Sequence, residues 1–468
     1  MNALRYVGKN ACHEESYREV IGGKQPDTVV LDLVSNCPNI VLRATLNEAP
    51  LYLNASALIR DFRDIGVMTY ILDTLARRDG GVDYWSRDFK CTFPVREPDL
   101  WSSNSNRLSR VLATVAGDQY TFDWLSSGAL PAQAGHNTHI PRGYDAVCLF
   151  SGGIDSLLGA HKLLSEGKRL LLVGHQSEGT TAAAQKALFR QLNRLFPGRA
   201  LLIQFRVSVS KREQPLFQLP NINEDTHRAR SFLFLTLAIT IANMAKVQSI
   251  YMPENGLIAL NAPLDASRLG TCSTRTAHPR FLMQFLDFAS ALGAYTGSLN
   301  NPFLHESKTD MLLSFDPRLK PALLRSVSCS RPNRYQNKHV RHCGYCVPCI
   351  YRRAAFASCG IDIASEYAFD VFDNLATLTE IKQRDLVALF RFARKYQVLT
   401  PLKQQSVVLA QGYFDPHISG QIGPRDASDY SPWVKMLDRW TRDFLSLIDR
   451  KAPSSTKAYL RCQQSSAN

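Results

Sequence analysis

The run Val147-Cys148-Leu149-Phe150-Ser151-Gly152-Gly153-Ile154-Asp155-Ser156 passes directly into Leu157-Leu158-Gly159-Ala160-His161-Lys162-Leu163-Leu164. The apolar residues up to Phe150 have strand character, and those after Gly153 recur at helical spacing. The stretch therefore predicts a strand, a tight turn and a helix. Paired glycines let backbone approach a ligand closely. The serine hydroxyls and the free N–H groups of the first helical turn place donors where the helix dipole is positive. The result is an anion cradle. It lacks the Lys of a Walker A loop, so it does not match the usual triphosphate-hydrolase type. A plain helix cap with Asp155 as a first-turn acid is the simpler alternative, but strand, turn and helix signals agree on a ligand loop.

A chain of 468 residues exceeds one ordinary core and calls for two or three domains. Hydrophobic residues make up 45% and the mean hydropathy is -0.17, which describes a soluble globular protein. The N-terminus shows no apolar signal core. The longest apolar run, Ser231 to Ala242, is shorter than the ~20 residues that span a bilayer. A cytoplasmic protein with no membrane role is expected. In that setting eleven cysteines point to reduced thiols and a metal rather than a disulfide framework. A net charge of +14 and a pI near 9.3 suit an anionic ligand such as ATP. Nucleic acid is compatible with the charge, but no long basic run or aromatic stripe supports it.

Residues 1–140 read as an α+β domain. Strands are predicted at Asp27–Val34 and Val41–Leu46, then an amphipathic helix at Leu58–Arg77 closed by Asp79-Gly80-Gly81. Asp83–Val95 and Arg110–Trp124 read as further strands, with Gly117-Asp118 as a hairpin turn. Cys12 and His13 are adjacent and read as an incidental pair. A Pro/Gly-rich linker, Leu130–Gly143, follows. Residues 144–360 alternate strands and helices: the opening loop and its helix, a strand at Leu170–Gln176, a helix at Thr180–Phe196, a strand at Ala200–Val207, a helix at Arg228–Ala245 and a strand at Ser249–Met252. That order calls for a parallel sheet with helices on both faces. Ligands of such sheets bind outside the carboxyl ends of the strands, where Ser151, His175, Gln176 and Glu254 should converge. Residues 361–468 read as a helical extension, with helices at 362–377, 380–396, 407–409 and 433–447 and a frayed polar end from Pro453.

A second pattern is Cys329 with Cys343-Gly-Tyr-Cys346-Val-Pro-Cys349. Tetrahedral zinc takes four soft ligands, and C-x2-C loops place two thiolates on one ion without strain. An iron–sulfur cluster or plain free thiols also fit the spacing. Arg341, His342, Arg352 and Arg353 are expected to lower the thiol pKa values. Cys272 and Cys359 fall outside the spacing.

The S-G-G-x-D-S loop resembles the PP-loop of ATP pyrophosphatases, and with the downstream cysteines it resembles the QueC family of 7-cyano-7-deazaguanine synthases. Arg230-Ser231-Phe-Leu-Phe-Leu-Thr-Leu-Ala is similar to the family's R-N-x-x-F-L-x-L-A segment. Asn301-Pro302-Phe-Leu-His-Glu-Ser-Lys308 is similar to its T-P-L…K segment, and the run from Cys329 to Arg352 to its zinc-site ending. The resemblance covers Tyr144 to Ala357. Ser231 replaces the family's Asn, and Asn261-Ala-Pro-Leu-Asp265-Ala-Ser-Arg268 only loosely echoes its deazapurine-binding G-Y-P-D-C-R. The whole layout resembles the long QueC-like proteins of bacterial anti-phage systems, such as that of the Qat system.

The resemblance implies a carbon–nitrogen ligase that uses ATP to adenylate a carboxylate, a 7-deazaguanine derivative, and joins it to nitrogen as a nitrile or an amide. ATP would lie on Leu149, Phe150, Ser151, Gly152, Gly153, Asp155, Ser156, His175, Gln176 and Arg230. Asp155 with the serine hydroxyls would hold pyrophosphate and Mg²⁺, while Arg230 and Lys308 would neutralise charge on the leaving group. Asp155, Lys308 and Arg230 are the implied catalytic residues. Glu254, Asp265 and Arg268 are implied for the deazapurine, and Cys329, Cys343, Cys346 and Cys349 for Zn²⁺. A protein amine as acceptor and a protein partner in a defence complex are further expectations. The alternatives are a PP-loop tRNA-modifying enzyme or a non-catalytic nucleotide-binding subunit.

Overall fold

A computed structural model describes residues 4–9, 28–32, 40–78, 86–127, 140–177, 179–209, 224, 227–261, 275–313, 315–330, 332, 334–335, 340–410 and 430–465. The chain begins with β1 (Leu4–Lys9), β2 (Thr28–Asp32), β3 (Ile40–Leu46), β4 (Ala49–Leu51) and α1 (Ala57–Leu75). Then come β5 (Asp88–Val95), α2 (Pro98–Ala116) and β6 (Gln119–Ser126). Strands β2-β1-β5-β6 form a parallel sheet.

The expected hairpin at Gly117 is not there. Arg110 to Ala116 continues α2, and Gly117 at φ 74° is its left-handed C-cap. Leu108, Val111, Leu112 and Val115 are buried at i, i+3, i+4 and i+7, so a helical stripe outweighs the β-formers in the segment. Strand β6 returns parallel to β5 through this helix, as a parallel pair requires.

The larger sheet is built from β7 (Ala146–Leu149), α3 (Ile154–Ser165), β8 (Leu170–His175), α4 (Gly179–Leu195), β9 (Ala200–Val209), α5 (Arg230–Ala245) and β10 (Ser249–Tyr251). The chain goes on through α6 (Gly256–Leu260), α7 (Pro279–Ala291), β11 (Ser298–Asn300), α8 (Lys308–Leu313), α9 (Lys320–Arg325) and α10 (Val347–Ser358). The strand order is β11-β10-β7-β8-β9-β3-β4. The first five strands are parallel, and β3 joins β9 antiparallel from Ile40↔Val209 to Leu46↔Ile203. Hydrogen bonding of this sheet thus reaches back into residues 1–140.

Both faces of the sheet are covered. Val147, Leu149, Leu171 and Val173 join one core with α1, α5 and α7. Ala146, Cys148, Leu170 and Leu172 point the other way, into a core with α3, α4 and α9. The period-two alternation along wholly apolar strands is what a buried parallel sheet demands.

The tail contains α11 (Glu380–Gln397), α12 (Pro401–Leu409), α13 (Ser431–Lys451) and α14 (Ser454–Ser465). Two expectations fail here. Residues 362–377 form only short 3-10 turns, Ala364–Glu366 and Leu375–Thr377. Between them Asp370 accepts hydrogen bonds from the N–H groups of Phe372 (3.0 Å) and Asp373 (3.2 Å), an alternative to helix. The end from Pro453 is helical rather than frayed: Leu460 is buried, and the Tyr459 hydroxyl donates to Gln383 Oε1 at 2.6 Å. Helix α13 packs on α10 through Trp440 and Tyr351 (5.8 Å, edge-on), and Arg439 pairs with Asp310 of α8 at 3.1 Å. Cys12, His13, Cys272, residues 79–81 and most of the predicted linker lie outside the described residues. Among the described residues no helix is long and apolar enough to cross a membrane.

Candidate functional site

At the carboxyl end of β7 the Phe150 N–H donates to Val173 O (2.7 Å), and the chain turns through Ser151, Gly152 and Gly153 into α3. Gly152 sits at φ 89°, where a side chain is strained. Its missing Cβ would also come within 3.3 Å of Gln185. Ser156 Oγ donates to Gly153 O (3.1 Å) and lies 3.3 Å from Ser151 Oγ. The hydroxyls brace the loop.

Asp155 follows in the first turn and is 5% exposed. Its Oδ2 accepts from the Asn255 backbone N–H (3.0 Å) and side-chain amide (2.6 Å), and its Oδ1 accepts from the Lys308 ammonium. Burial opposes its ionisation, but Lys308 and hydrogen bonds from Glu254 and Asn255 win and hold it at about 2. Glu254 shows the converse. Burial and then the Asp155 charge push its carboxyl well above the usual range, so it keeps its proton. One ionised acid, one neutral acid and one ammonium therefore share a small volume.

These groups open on a cavity of about 730 Å³ beyond the strand ends. Ser151, Gly153, Asp155, Arg230, Glu254 and Lys308 all line it. Arg230, at the start of α5, lies 5.1 Å over the Phe234 ring and has no ion-pair partner among the described residues. Other expected residues are placed elsewhere. Leu149 and Phe150 are strand-end core, and Gly152 and Ser156 form the back of the loop. His175 is 1% exposed, edge-on to Tyr70 (5.3 Å) and Phe234 (5.7 Å), and burial followed by Arg230 lowers it to about 3. The Gln176 N–H is spent on Phe205 O (2.7 Å). Asp265 and Arg268 lie outside the described residues.

Several cavity residues carry no sequence signal: Tyr70 of α1, Ser177, Thr181, Glu224 and His227. Glu224 and Ala229 are held in place by α1 and the residues just after it. Asp73 Oδ2 accepts the Ala229 N–H (2.8 Å), Thr74 O accepts the Glu224 N–H (2.8 Å), and the Glu224 carboxylate accepts the Arg78 N–H (2.9 Å). Asp73 is in turn paired with Arg78 (3.2 Å) and Arg87, which share Asp118 across to the four-stranded sheet. This charge network is buried throughout. It sets the position of Arg230.

The sulfurs of Cys329, Cys343, Cys346 and Cys349 lie within 4.8 Å of one another, with Cys343 to Cys349 at 3.9 Å. A tetrahedron with Zn–S bonds of about 2.3 Å has edges of roughly 3.8 Å, so four-coordinate zinc fits. The Cys346 N–H donates to Cys343 Sγ (3.3 Å) and the Cys343 N–H to Cys329 Sγ (3.5 Å), both favouring thiolate. The basic neighbours do not lower the thiols as a set: Cys329 and Cys346 are pushed down, while Cys343 and Cys349 are pushed up by burial and by hydrogen bonding within the cluster. Arg352 is turned to Ser326 Oγ (2.6 Å), Arg353 is paired with Asp370 (2.6 Å), and burial keeps His342 neutral at about 3. Hydrogen bonds from the other three thiols instead hold Cys329 far below the ordinary thiol range. Cys329 also lines the cavity, and two residues before it the Val327 N–H donates to Gly152 O at 2.8 Å. The cysteine knuckle and the anion loop are hydrogen-bonded together.

Residues 145–360 match the QueC family model, described as queuosine biosynthesis protein QueC. Similar curated proteins are the 7-cyano-7-deazaguanine synthases of Leptospira interrogans serogroup Icterohaemorrhagiae, serovar copenhageni (strain Fiocruz L1-130) and serovar Lai (strain 56601). Each is 26% identical over 235 residues, covering 46% of this chain and 88% of the relative. Among solved structures a ketoreductase domain from the bacillaene assembly line matches at 10% identity and a TM-score of 0.22, over 64% of this chain and 80% of that one, a likeness that carries no argument.

Proposed function

We propose that this chain, QueC-like over residues 145–360, uses ATP to activate the carboxylate of a 7-deazaguanine acid and then joins the acyl group to nitrogen. The observation that carries this reading is the opening of the anion loop, Arg230, Lys308 and the Asp155–Glu254 acid pair on one cavity. A carboxylate oxygen attacks the α-phosphorus, the bond to pyrophosphate breaks, and an acyl adenylate forms. An amine then displaces AMP and gives up a proton. The loop N–H groups and the N-terminus of α3 hold the departing pyrophosphate. Arg230 and Lys308 offset its charge.

Asp155 acts mainly by orienting Lys308, since both of its oxygens are already taken. Mg²⁺ on this reading arrives with the ATP phosphates. Neutral Glu254, its O–H given to Asp155, leaves its carbonyl oxygen to accept a hydrogen bond from the polar edge of the acid. The four thiols would hold Zn²⁺ as a structural centre beside the loop.

The acceptor is read as an amine on a partner protein, because the N-terminal region is large enough to present one. That outcome would place the chain in anti-phage defence, as the resemblance of the whole layout implies. The test is pyrophosphate release with ATP and a panel of carboxylates, with intact-mass spectrometry of candidate partner proteins. Release that depends on the deazaguanine acid supports the activation step. ATP binding without release for any acid would leave a nucleotide-binding subunit. Clean formation of free nitrile, with no partner modified, would replace the protein acceptor by ammonia.

A further inference from the structure

The loop, Arg230 and Lys308 account for the anionic part of a ligand, and they leave much of the cavity lining unexplained. Part of that lining is supplied by Tyr70, from a helix outside the segment that matches the QueC family. Four residues earlier on the same face of α1, Gly66 meets α5 so closely that a Cβ there would lie 2.5 Å from Thr236 Cγ2. Thr236 is fully buried, and its hydroxyl is tied to Phe232 O at 2.7 Å, so it does not give way. The close approach of the two helices carries Tyr70, one turn on, up to the cavity.

The ring is then held by aromatic neighbours. His175 meets it edge-on at 5.3 Å and is itself edge-on to Phe234 at 5.7 Å. His227, which is exposed and lines the cavity, continues the aromatic surface, tilted 33° from Tyr70 at 6.1 Å. Arg230 stands on Phe234 beside this cluster. Tyr70, 6% exposed, lines the cavity together with Arg230 and Lys308 and is packed against aromatic rings, so it offers a preorganised surface for stacking.

We infer that Tyr70, extended by His227, is the subsite for a planar purine-type ring, so that the N-terminal region completes the ligand site. This rests on the reading of the cavity as a site for ATP and a purine-like acid. Either the adenine of ATP or the deazapurine of the acid supplies such a ring, and binding measurements separate the two. Isothermal titration of the full chain would use three probes: ATP, 7-carboxy-7-deazaguanine and inorganic pyrophosphate. Tyr70→Ala is expected to weaken one ring-bearing probe about tenfold, the loss typical of one stacked base. Pyrophosphate, which needs only the loop and the cations, should bind as in the wild type, and Tyr70→Phe should restore the lost affinity. The probe that weakens identifies the ring.

Tyr70→Leu, which keeps apolar volume without a ring, repeats the test if the alanine variant folds poorly. Unchanged affinity for both ring-bearing probes overturns the inference and leaves the proposed activity standing. Parallel loss of pyrophosphate would overturn it too, by making Tyr70 a scaffold. A wild-type chain that binds pyrophosphate but neither ring-bearing probe would remove the proposed function, and this subsite with it.

Discussion

Replacing Asp155 by Ala strips the counter-charge from Lys308, a residue only 7% exposed. Leaving one member of a buried pair uncompensated typically costs 3–5 kcal/mol. Asp155→Ala should therefore lose about 3 kcal/mol in urea unfolding as well as pyrophosphate release. Asp155→Ala combined with Lys308→Met should recover most of the stability and none of the activity. An equal loss in the double variant would show that the pair is not the reason. His175 gives a pH signature. Its neutral ring is held at about 3, chiefly by burial, while the unfolded chain titrates near 6.5. Between those values the unfolded state binds more protons, so this contribution is complete above pH 6.5 and is lost as the pH falls toward 3. The slope is at most about 1.4 kcal/mol per pH unit. His175→Phe should flatten the fall in urea midpoint between pH 6.5 and 5, and an unchanged fall would contradict the assignment.

Helices α1 and α5 make the element-scale case. Gly→Ala in a helix interior ordinarily gains up to about 1 kcal/mol, but at Gly66 the new methyl meets Thr236 at 2.5 Å, and overpacking costs roughly 1–3 kcal/mol. Gly66→Ala should thus lower the melting temperature, and a rise would mean that the helices part easily. The cysteine knuckle acts on the anion loop through the bond from Val327 to Gly152. Cys346→Ser is expected to lose zinc by elemental analysis and to bind ATP more weakly, and zinc content equal to the wild type would sink the metal assignment. Both motifs are legible in sequence because their chemistry is local, each carried by a short run with fixed spacing. Tyr70 is not, since nothing in Met68-Thr69-Tyr70-Ile71 separates a cavity-lining ring from a core ring. Nor is Asn255, which caps α6, because its bond to Asp155 spans 100 positions of chain. In α2 the β-formers Val111, Thr114 and Val115 point locally to a strand, and the helical spacing of the buried face outweighs them.

Across the whole molecule the N-terminal region is interleaved with the rest. Strand β3 covers the edge of β9, and the buried Asp73, Arg78, Arg87 and Asp118 tie the smaller sheet to the start of α5. A chain lacking residues 1–140 would expose a ten-residue strand edge, a template for aggregation, along with the apolar face of α5. Such a truncation is expected to be insoluble or polydisperse in size exclusion, and a monodisperse, ATP-binding fragment would refute this. Sheet order of this kind is invisible to local pattern, since β3 meets β9 across more than 150 positions of chain. The span of the cavity lining, from Tyr70 to Pro348, also governs how the protein is born. On the ribosome this lining is incomplete until Pro348 has emerged, so a ligand held by the whole cavity stabilises only a chain about three quarters made. Before that point the emerging chain must keep its apolar surface covered by its own packing or by chaperones, without help from a ligand.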